Sequence, residues 1–285
     1  MKMLITGGRG MLGRTLARHL QAEHQVLSVD RNNCNITNRF AIDLACRNFQ
    51  PDVVLHCAAM TDVDGAESDP DAAFNVNELG TANVAAACSE FDARLIAFST
   101  DYVFDGLLDR PYHEGDAPNP QTVYGKSKLA GELAIRRLCP NHLILRTAWL
   151  YGEGGPSFLH TMLRLGSQPG PPIKVVNDQV GNPTSADAVA RRVLDLLDSS
   201  VVGTWHLTSE GEATWYEFAR AISREVPFAR AVVPCTTADY PRPARRPANS
   251  RLRKMQLERH SMQPMESWDA GLRAFLGRTA ARRAA

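Results

Sequence analysis

Tyr124 and Lys128 stand four residues apart in Tyr124-Gly125-Lys126-Ser127-Lys128, so on a helix both side chains fall on one face and can act on one substrate. A free phenol titrates at about 10, too high for acid–base work at neutral pH, and an adjacent ammonium is expected to lower it by favouring phenolate. Tyr124 would then protonate a nascent alkoxide as hydride arrives on a carbonyl carbon. Upstream, Ser99-Thr100-Asp101 ends an apolar run, at the edge where open α/β sheets bind ligands. The Thr100 hydroxyl can bond the same carbonyl oxygen there. Thr100, Tyr124 and Lys128 together are a candidate ketone-reducing site.

A second constellation points to the hydride source. Gly7-Gly8-Arg9-Gly10-Met11-Leu12-Gly13 follows an apolar run and opens a helix, so backbone N–H groups and the positive helix end converge where a pyrophosphate would lie. Gly7 allows the tight turn, Gly10 the close approach of backbone to phosphate, and Gly13 the packing of helix on strand. Asp30 closes the next run, where a carboxylate can accept hydrogen bonds from the ribose hydroxyls of NAD. Arg9 and Arg31 oppose that signal, since a guanidinium at either place suits the extra phosphate of NADP. NADPH is the expected cofactor, with NADH left open.

The elements that must hold these groups follow from the apolar pattern. Short runs at Met3–Thr6, Gln25–Val29, Val53–Cys57, Arg94–Ser99 and Leu143–Thr147 read as strands, and the segments starting near Gly10, Thr37, Asp71 and Val123 as helices, the third running to Glu90. This alternation predicts an α/β fold, a Rossmann-type doubly wound parallel sheet over residues 1–150. After Leu150 the glycines and prolines increase. A strand at Ile173–Val176 and a helix at Ser185–Leu197 are expected to return to the first domain as part of 173–200. Residues 151–172 and 201–285 read as a smaller C-terminal substrate-binding lobe, holding Trp205–Leu207, a helix at Thr214–Arg224 and a Pro/Arg stretch at Pro241–Pro247. The basic, Ala-rich end from Arg278 reads as a frayed or solvated helix.

Composition adds mainly exclusions. The 285 residues carry 32 Lys plus Arg against 31 Asp plus Glu, a balance that gives no push toward nucleic acid or a membrane surface. Arg242, Arg245, Arg246, Arg251, Arg253 and Lys254 lack the interleaved aromatics of a stacking platform. Met1 to Ile5 leads directly into Gly7 with no room for a signal segment, and no apolar run is long enough to span a bilayer, so a cytoplasmic location is expected. Six scattered cysteines form neither a CxxC pair nor a ligand cluster, and no metal site is expected.

The order of glycine turn, hydroxyl and YxxxK resembles the extended short-chain dehydrogenase/reductase family. Five strings narrow it: Ser99–Gly106, Tyr124–Lys128, Arg146–Gly152, Asp178–Thr184 and Arg246–Ser250 are similar to those of the dTDP-4-dehydrorhamnose reductases. That resemblance, which spans nearly the whole chain, implies reduction of the C4 ketone of dTDP-6-deoxy-L-lyxo-4-hexulose to dTDP-L-rhamnose. It implies that Thr61, Val63, Thr100, Tyr102 and Trp149 line the sugar pocket. Ala58, Ala59, Asn35 and Ile36 would border the cofactor, and Lys128 would hold the nicotinamide ribose. Trp149 offers a flat apolar wall with one N–H donor. Arg246, beside a loop of prolines, can pair with the substrate pyrophosphate.

The chain also departs from that family. Thr15 stands where some members carry the glutamate of a metal-linked dimer, so that assembly is not expected, although a homodimer stays open. Asn35 replaces an acid, and Met60 stands where polar residues are frequent. The same resemblance leaves room for a 4-ketoreductase acting on another dTDP-deoxysugar. It also leaves room for a non-catalytic NADP-binding regulatory subunit, as in a relative that binds methionine adenosyltransferase. The intact Thr100, Tyr124 and Lys128 argue against a retired site.

Overall fold

The computed structural model describes residues 1–284, with side chains through Thr279. The chain opens with β1 (Lys2–Thr6), α1 (Met11–Leu20), β2 (Gln25–Val29), α2 (Arg39–Phe49) and β3 (Val53–His56). Three short helical pieces follow: α3 (Val63–Ser68), α4 (Pro70–Phe74) and α5 (Thr81–Glu90), the last two joined by a π-helical turn at Asn75–Gly80. Then come β4 (Arg94–Thr100), α6 (Val123–Leu138), β5 (His142–Thr147), β6 (Leu150–Tyr151) and α7 (Phe158–Gly166). The remainder holds β7 (Ile173–Val176), β8 (Val180–Gly181), β9 (Thr184–Ser185), α8 (Ala186–Leu197), β10 (Gly203–His206), β11 (Ala213–Thr214), α9 (Trp215–Glu225), β12 (Val232–Cys235), α10 (Met255–Arg259) and α11 (Trp268–Ala284).

Six strands build one parallel sheet in the order β10-β5-β4-β3-β1-β2. Every residue of β3 and β4 is buried, as near-continuous apolar runs covered on both faces require. One face packs on α1 and α8 through Leu12, Leu16, Val189 and Val193, and the other on α2, α5 and α6 through Ile42, Val84 and Ile135. The sheet is therefore the doubly wound one expected. Strand order reverses at β1, so the binding crevice opens at the carboxyl ends of β1 and β3.

Differences from the sequence reading lie in the second half. Ile173–Val176 pairs with β12 and not with the large sheet, whereas α8 does pack back on α1. Gly203–His206, expected in the smaller lobe, is the sixth strand of the large sheet beside β5. The lobe keeps its own apolar cluster around Tyr151, Leu159, Phe218 and Phe275. Arg278, read as the start of a solvated end, pairs with the buried Asp187 at 2.6 Å, which also holds Arg18 and His19 and so ties α1, α8 and α11 together. Side chains from 280 onward lie outside the described residues.

Helix α6, capped by the Thr122 hydroxyl accepting from the Gly125 N–H, is anchored by a buried ion pair. Glu132 accepts from Arg146 Nε at 2.9 Å and Nη2 at 2.7 Å, from Ser99 at 2.6 Å and from Arg136 at 2.8 Å. Removing one partner leaves the other charge stranded in a low-dielectric interior. Glu132→Ala should therefore lower the unfolding free energy by about 3–5 kcal/mol in urea denaturation.

Candidate active site

The glycine turn sits at the switch point of the sheet. Gly7 adopts φ 67°, and a Cβ there would lie 2.6 Å from the Ala58 N and 2.7 Å from its Cα, so the loops after β1 and β3 touch backbone to backbone. A Cβ on Gly13 would lie 2.4 Å from the Gly7 carbonyl oxygen, which holds α1 hard against the turn. Gly10 is the N-cap of α1 and supplies no side-chain cap, so the N–H groups of Met11 and Leu12 have no intrahelical acceptor. This cradle fits a pyrophosphate. Leu12 itself is buried in the core, so its contribution to such a ligand is its backbone.

Asp30 and Arg9 do not act separately. Arg9 Nε lies 3.0 Å from Asp30 Oδ2, and Asp30 Oδ1 accepts from the Asn32 N–H at 2.7 Å. Arg31 is exposed beside them. Asn35 turns its side chain back to the Thr37 N–H, and Ile36 is a core residue whose carbonyl accepts from Asn83 at 2.9 Å. Ala58 and Ala59 follow β3 on the other side of the crevice, half-buried.

Thr100 ends β4 and Tyr124 lies in the first turn of α6, where the Thr100 hydroxyl acts on the phenol. Thr100 also donates to Asp101 Oδ1 at 3.0 Å and accepts from the Tyr102 N–H at 3.2 Å. Burial pushes the Tyr124 phenol up to about 12, with the Thr100 bond resisting. This corrects the expected lowering by Lys128. The ammonium donates instead to the Phe98 carbonyl at 2.8 Å, and desolvation sets the direction of the phenol's shift. Tyr124 is thus a protonated acid at neutral pH, the form needed to give a proton away.

Burial pulls Lys128 down to about 8, with Glu132 holding against it. Burial likewise raises Asp101 to about 6 against bonds from Ser250 and Thr100. His56, at the end of β3, is held near 3 by burial and by Lys128, and its two ring nitrogens meet Thr6 at 2.7 Å and Thr81 at 3.0 Å. The π-helical turn points Asn77 inward, where it bonds both backbone groups of Met60 and the Ser127 hydroxyl.

Tyr102 packs edge-on against Tyr124 with centroids 5.5 Å apart, and the Arg246 guanidinium sits 6.0 Å from the Tyr102 ring centroid. Val63 joins the apolar cluster around Tyr124, and Thr61 is exposed at its rim. Trp149 has φ 49° and stacks face to face on Trp215 with centroids 3.4 Å apart, so one face of its ring is already covered. A cavity of about 730 Å³ opens beyond Tyr102, lined by Phe158, Trp215, Lys174, Arg242 and Arg246. Its size suits a ligand much larger than a sugar alone. Arg245 also lines this cavity, whereas the remaining basic residues of the stretch are paired one by one: Arg251 with Glu212, Arg253 with Glu258 and Lys254 with Glu210.

Sequence reasoning missed Asn77, His56, Asp101 and Asp64. Asp64 lies in the helical segment after Thr61 and Val63 and meets partners almost 180 residues away, which no local pattern signals. Asn182 and Asn249, inside two of the five strings, hold loops: Asn182 accepts from the Leu252 N–H at 2.8 Å, and Asn249 donates to the carbonyls of Leu108 and Arg110.

A glycine cradle at the switch point and a Tyr-x-x-x-Lys helix against Thr100 make this an extended short-chain dehydrogenase/reductase. Within that class the chain belongs to the family described as RmlD substrate binding domain, whose model matches residues 1–281. It is 38% identical over 287 residues to the dTDP-4-dehydrorhamnose reductase of Sinorhizobium fredii, covering 97% of each chain. Two crystal structures of proteins titled dTDP-4-dehydrorhamnose reductase are close in shape. The one from Clostridium acetobutylicum has TM-score 0.95 and 42% identity, covering 98% of this chain and 100% of that one. The one from Bacillus anthracis, solved in complex with NADP, has TM-score 0.94 and 36% identity, covering 96% and 98%.

The Lys128 environment has a direct signature. NMR titration of side-chain-labelled lysines should show one amine titrating near 8 in place of the ordinary value of about 10.4. That signal should vanish in Lys128→Met.

Proposed function

We propose that this protein reduces the C4 ketone of dTDP-4-dehydrorhamnose with NADPH and releases dTDP-L-rhamnose. The observation that carries the reading is the burial of Thr100, Tyr124 and Lys128 together, set between a pyrophosphate cradle and a large cationic cavity. Similarity to named reductases over almost the entire chain supports the substrate class.

The cofactor supplies a hydride when bound. The Gly7–Gly13 turn and the start of α1 would take its pyrophosphate. Asp30, Arg31, Asn35, Ile36, Ala58 and Ala59 would border its adenosine half, and Lys128 its nicotinamide ribose. Thr100 would bond the ketone oxygen, and Tyr124 would donate the proton that oxygen needs as it becomes an alcohol. Burial keeps that proton on Tyr124 at neutral pH and excludes water that would compete for it. Thr61, Val63, Tyr102 and Trp149 would surround the sugar, and Arg246 would meet the diphosphate. Residues 1–150 with α8 and β10 form the cofactor half, and most of the remainder the substrate lobe.

Among the described residues no helix is long and apolar enough to cross a membrane. All six cysteines are thiols, which suits the reducing cytoplasm, where we place the reaction.

Purified protein given NADPH and dTDP-4-dehydrorhamnose should oxidise the cofactor. Oxidation with a different dTDP-4-ketosugar alone would move the assignment to that sugar. Tyr124→Phe should lower turnover by about 10²–10⁴, the range for lost acid catalysis, with cofactor binding nearly unchanged. Equal rates in mutant and wild type would remove Tyr124 from this role. Arg9→Ala should raise KM for NADPH by about tenfold and leave NADH nearly unaffected, because Arg9 sits on Asp30 where the extra phosphate would lie.

A further inference from the structure

Near Tyr102, one carboxylate gathers the basic loop of the lobe onto the large domain. Asp64 is the second residue of α3, at the carboxyl edge of the sheet. Its Oδ2 accepts from Arg242 Nε at 3.0 Å and Nη2 at 2.5 Å, and from Arg246 Nη2 at 2.9 Å. Its Oδ1 accepts from the Ala244 N–H at 3.1 Å. Two arginines and the backbone between them are thus held by a residue almost 180 positions earlier in the chain.

What these arginines face decides what the contact is for. The large cavity carries Lys174, Arg242, Arg245 and Arg246 on its wall and, among the described residues, no carboxylate lines it. Asp64 stands behind the wall and not in it. Arg246 has one face on Tyr102, one nitrogen on Asp64, and its Nη1 buried with no partner. A buried guanidinium nitrogen left unmatched costs free energy unless an acceptor arrives. Four cations facing one cavity suit a ligand with two adjacent negative charges, and a planar guanidinium engaged on one edge keeps its other edge for phosphate oxygens.

We infer that Asp64 is a positioning residue for diphosphate recognition: by bonding Arg242 and Arg246 from behind, it holds both guanidinium groups at the cavity wall, without touching the ligand itself. The inference rests on the reductase reading, which puts a nucleoside diphosphate in that cavity. Without Asp64 both arginines regain their rotamer freedom, and binding has to order them again.

The test is calorimetric binding of dTDP and of NADPH to wild type, Asp64→Asn and Asp64→Glu, with steady-state kinetics on the same samples. Asp64→Asn, close in shape but uncharged, should weaken dTDP by roughly tenfold and raise KM for the nucleotide sugar by the same factor. Its kcat should stay within about twofold, its NADPH affinity should be unchanged, and Asp64→Glu should recover part of the loss. If Asp64→Asn binds dTDP as tightly as wild type, or more tightly, the carboxylate is idle or competing and the inference falls. A parallel fall in NADPH affinity would mark a general structural defect and overturn it equally. Wild type that fails to bind dTDP at all would instead bring down the dTDP-sugar reading on which the inference rests.

Discussion

A polar stripe on a buried helix face is the constraint around which the rest of this molecule is arranged. Tyr124, Lys128, Glu132 and Arg136 recur every four residues along α6, and the first three are turned inward onto β4 and β5. A helix can bury such a face only if every group on it finds a partner. Thr100 meets Tyr124, the Phe98 carbonyl meets Lys128, and Arg146 with Ser99 meets Glu132. Three attachments along one helix fix its register on the sheet, and with it the position of the phenol relative to the strand-end hydroxyl. The same dryness favours the uncharged form of each titrating group, which is why the phenol rises and the ammonium falls.

Much of this was legible because it is local. The strands of the large sheet up to β5 lie within a residue or so of the apolar runs, and the glycine turn occurs where a run gives way to a helix. The four-residue spacing from Tyr124 to Lys128 already places both side chains on one face. What was hidden depends on contacts between distant segments. The third helix reads as one piece from Asp71, yet one π turn shifts its register and aims Asn77 at Met60, and such an insertion leaves no trace in an Ala-rich period. Arg9 and Asp30 read as opposing signals for the cofactor and are one ion pair. The direction of the Tyr124 shift was misread because the sequence shows the lysine and not the burial.

The smaller lobe was harder still, for a physical reason. Its strands β8, β9 and β11 are two residues long and β12 includes Pro234, so none carries the alternating or continuous apolar pattern of a longer strand. Its order comes instead from side chains that pin loops. Asn182 and Asn249 take up backbone groups of Leu252, Leu108 and Arg110, and a stacked tryptophan pair closes the seam between β6 and α9. These strings carry a family likeness because backbone geometry depends on them.

The late sixth strand bears on how the chain is made. β10 joins β5 only after a detour of more than fifty residues through the lobe, so on a ribosome the β5 edge emerges well before the strand that covers it. Leu143, Ile144 and Leu145 are fully buried in the finished protein, and until Gly203–His206 arrives they sit on an open edge able to template pairing with another chain. Synthesis therefore passes through a window of exposure that closes only when Trp205 is seated beside Leu145. Yield in a cell should depend on the speed of translation through that window as much as on the stability of the finished fold.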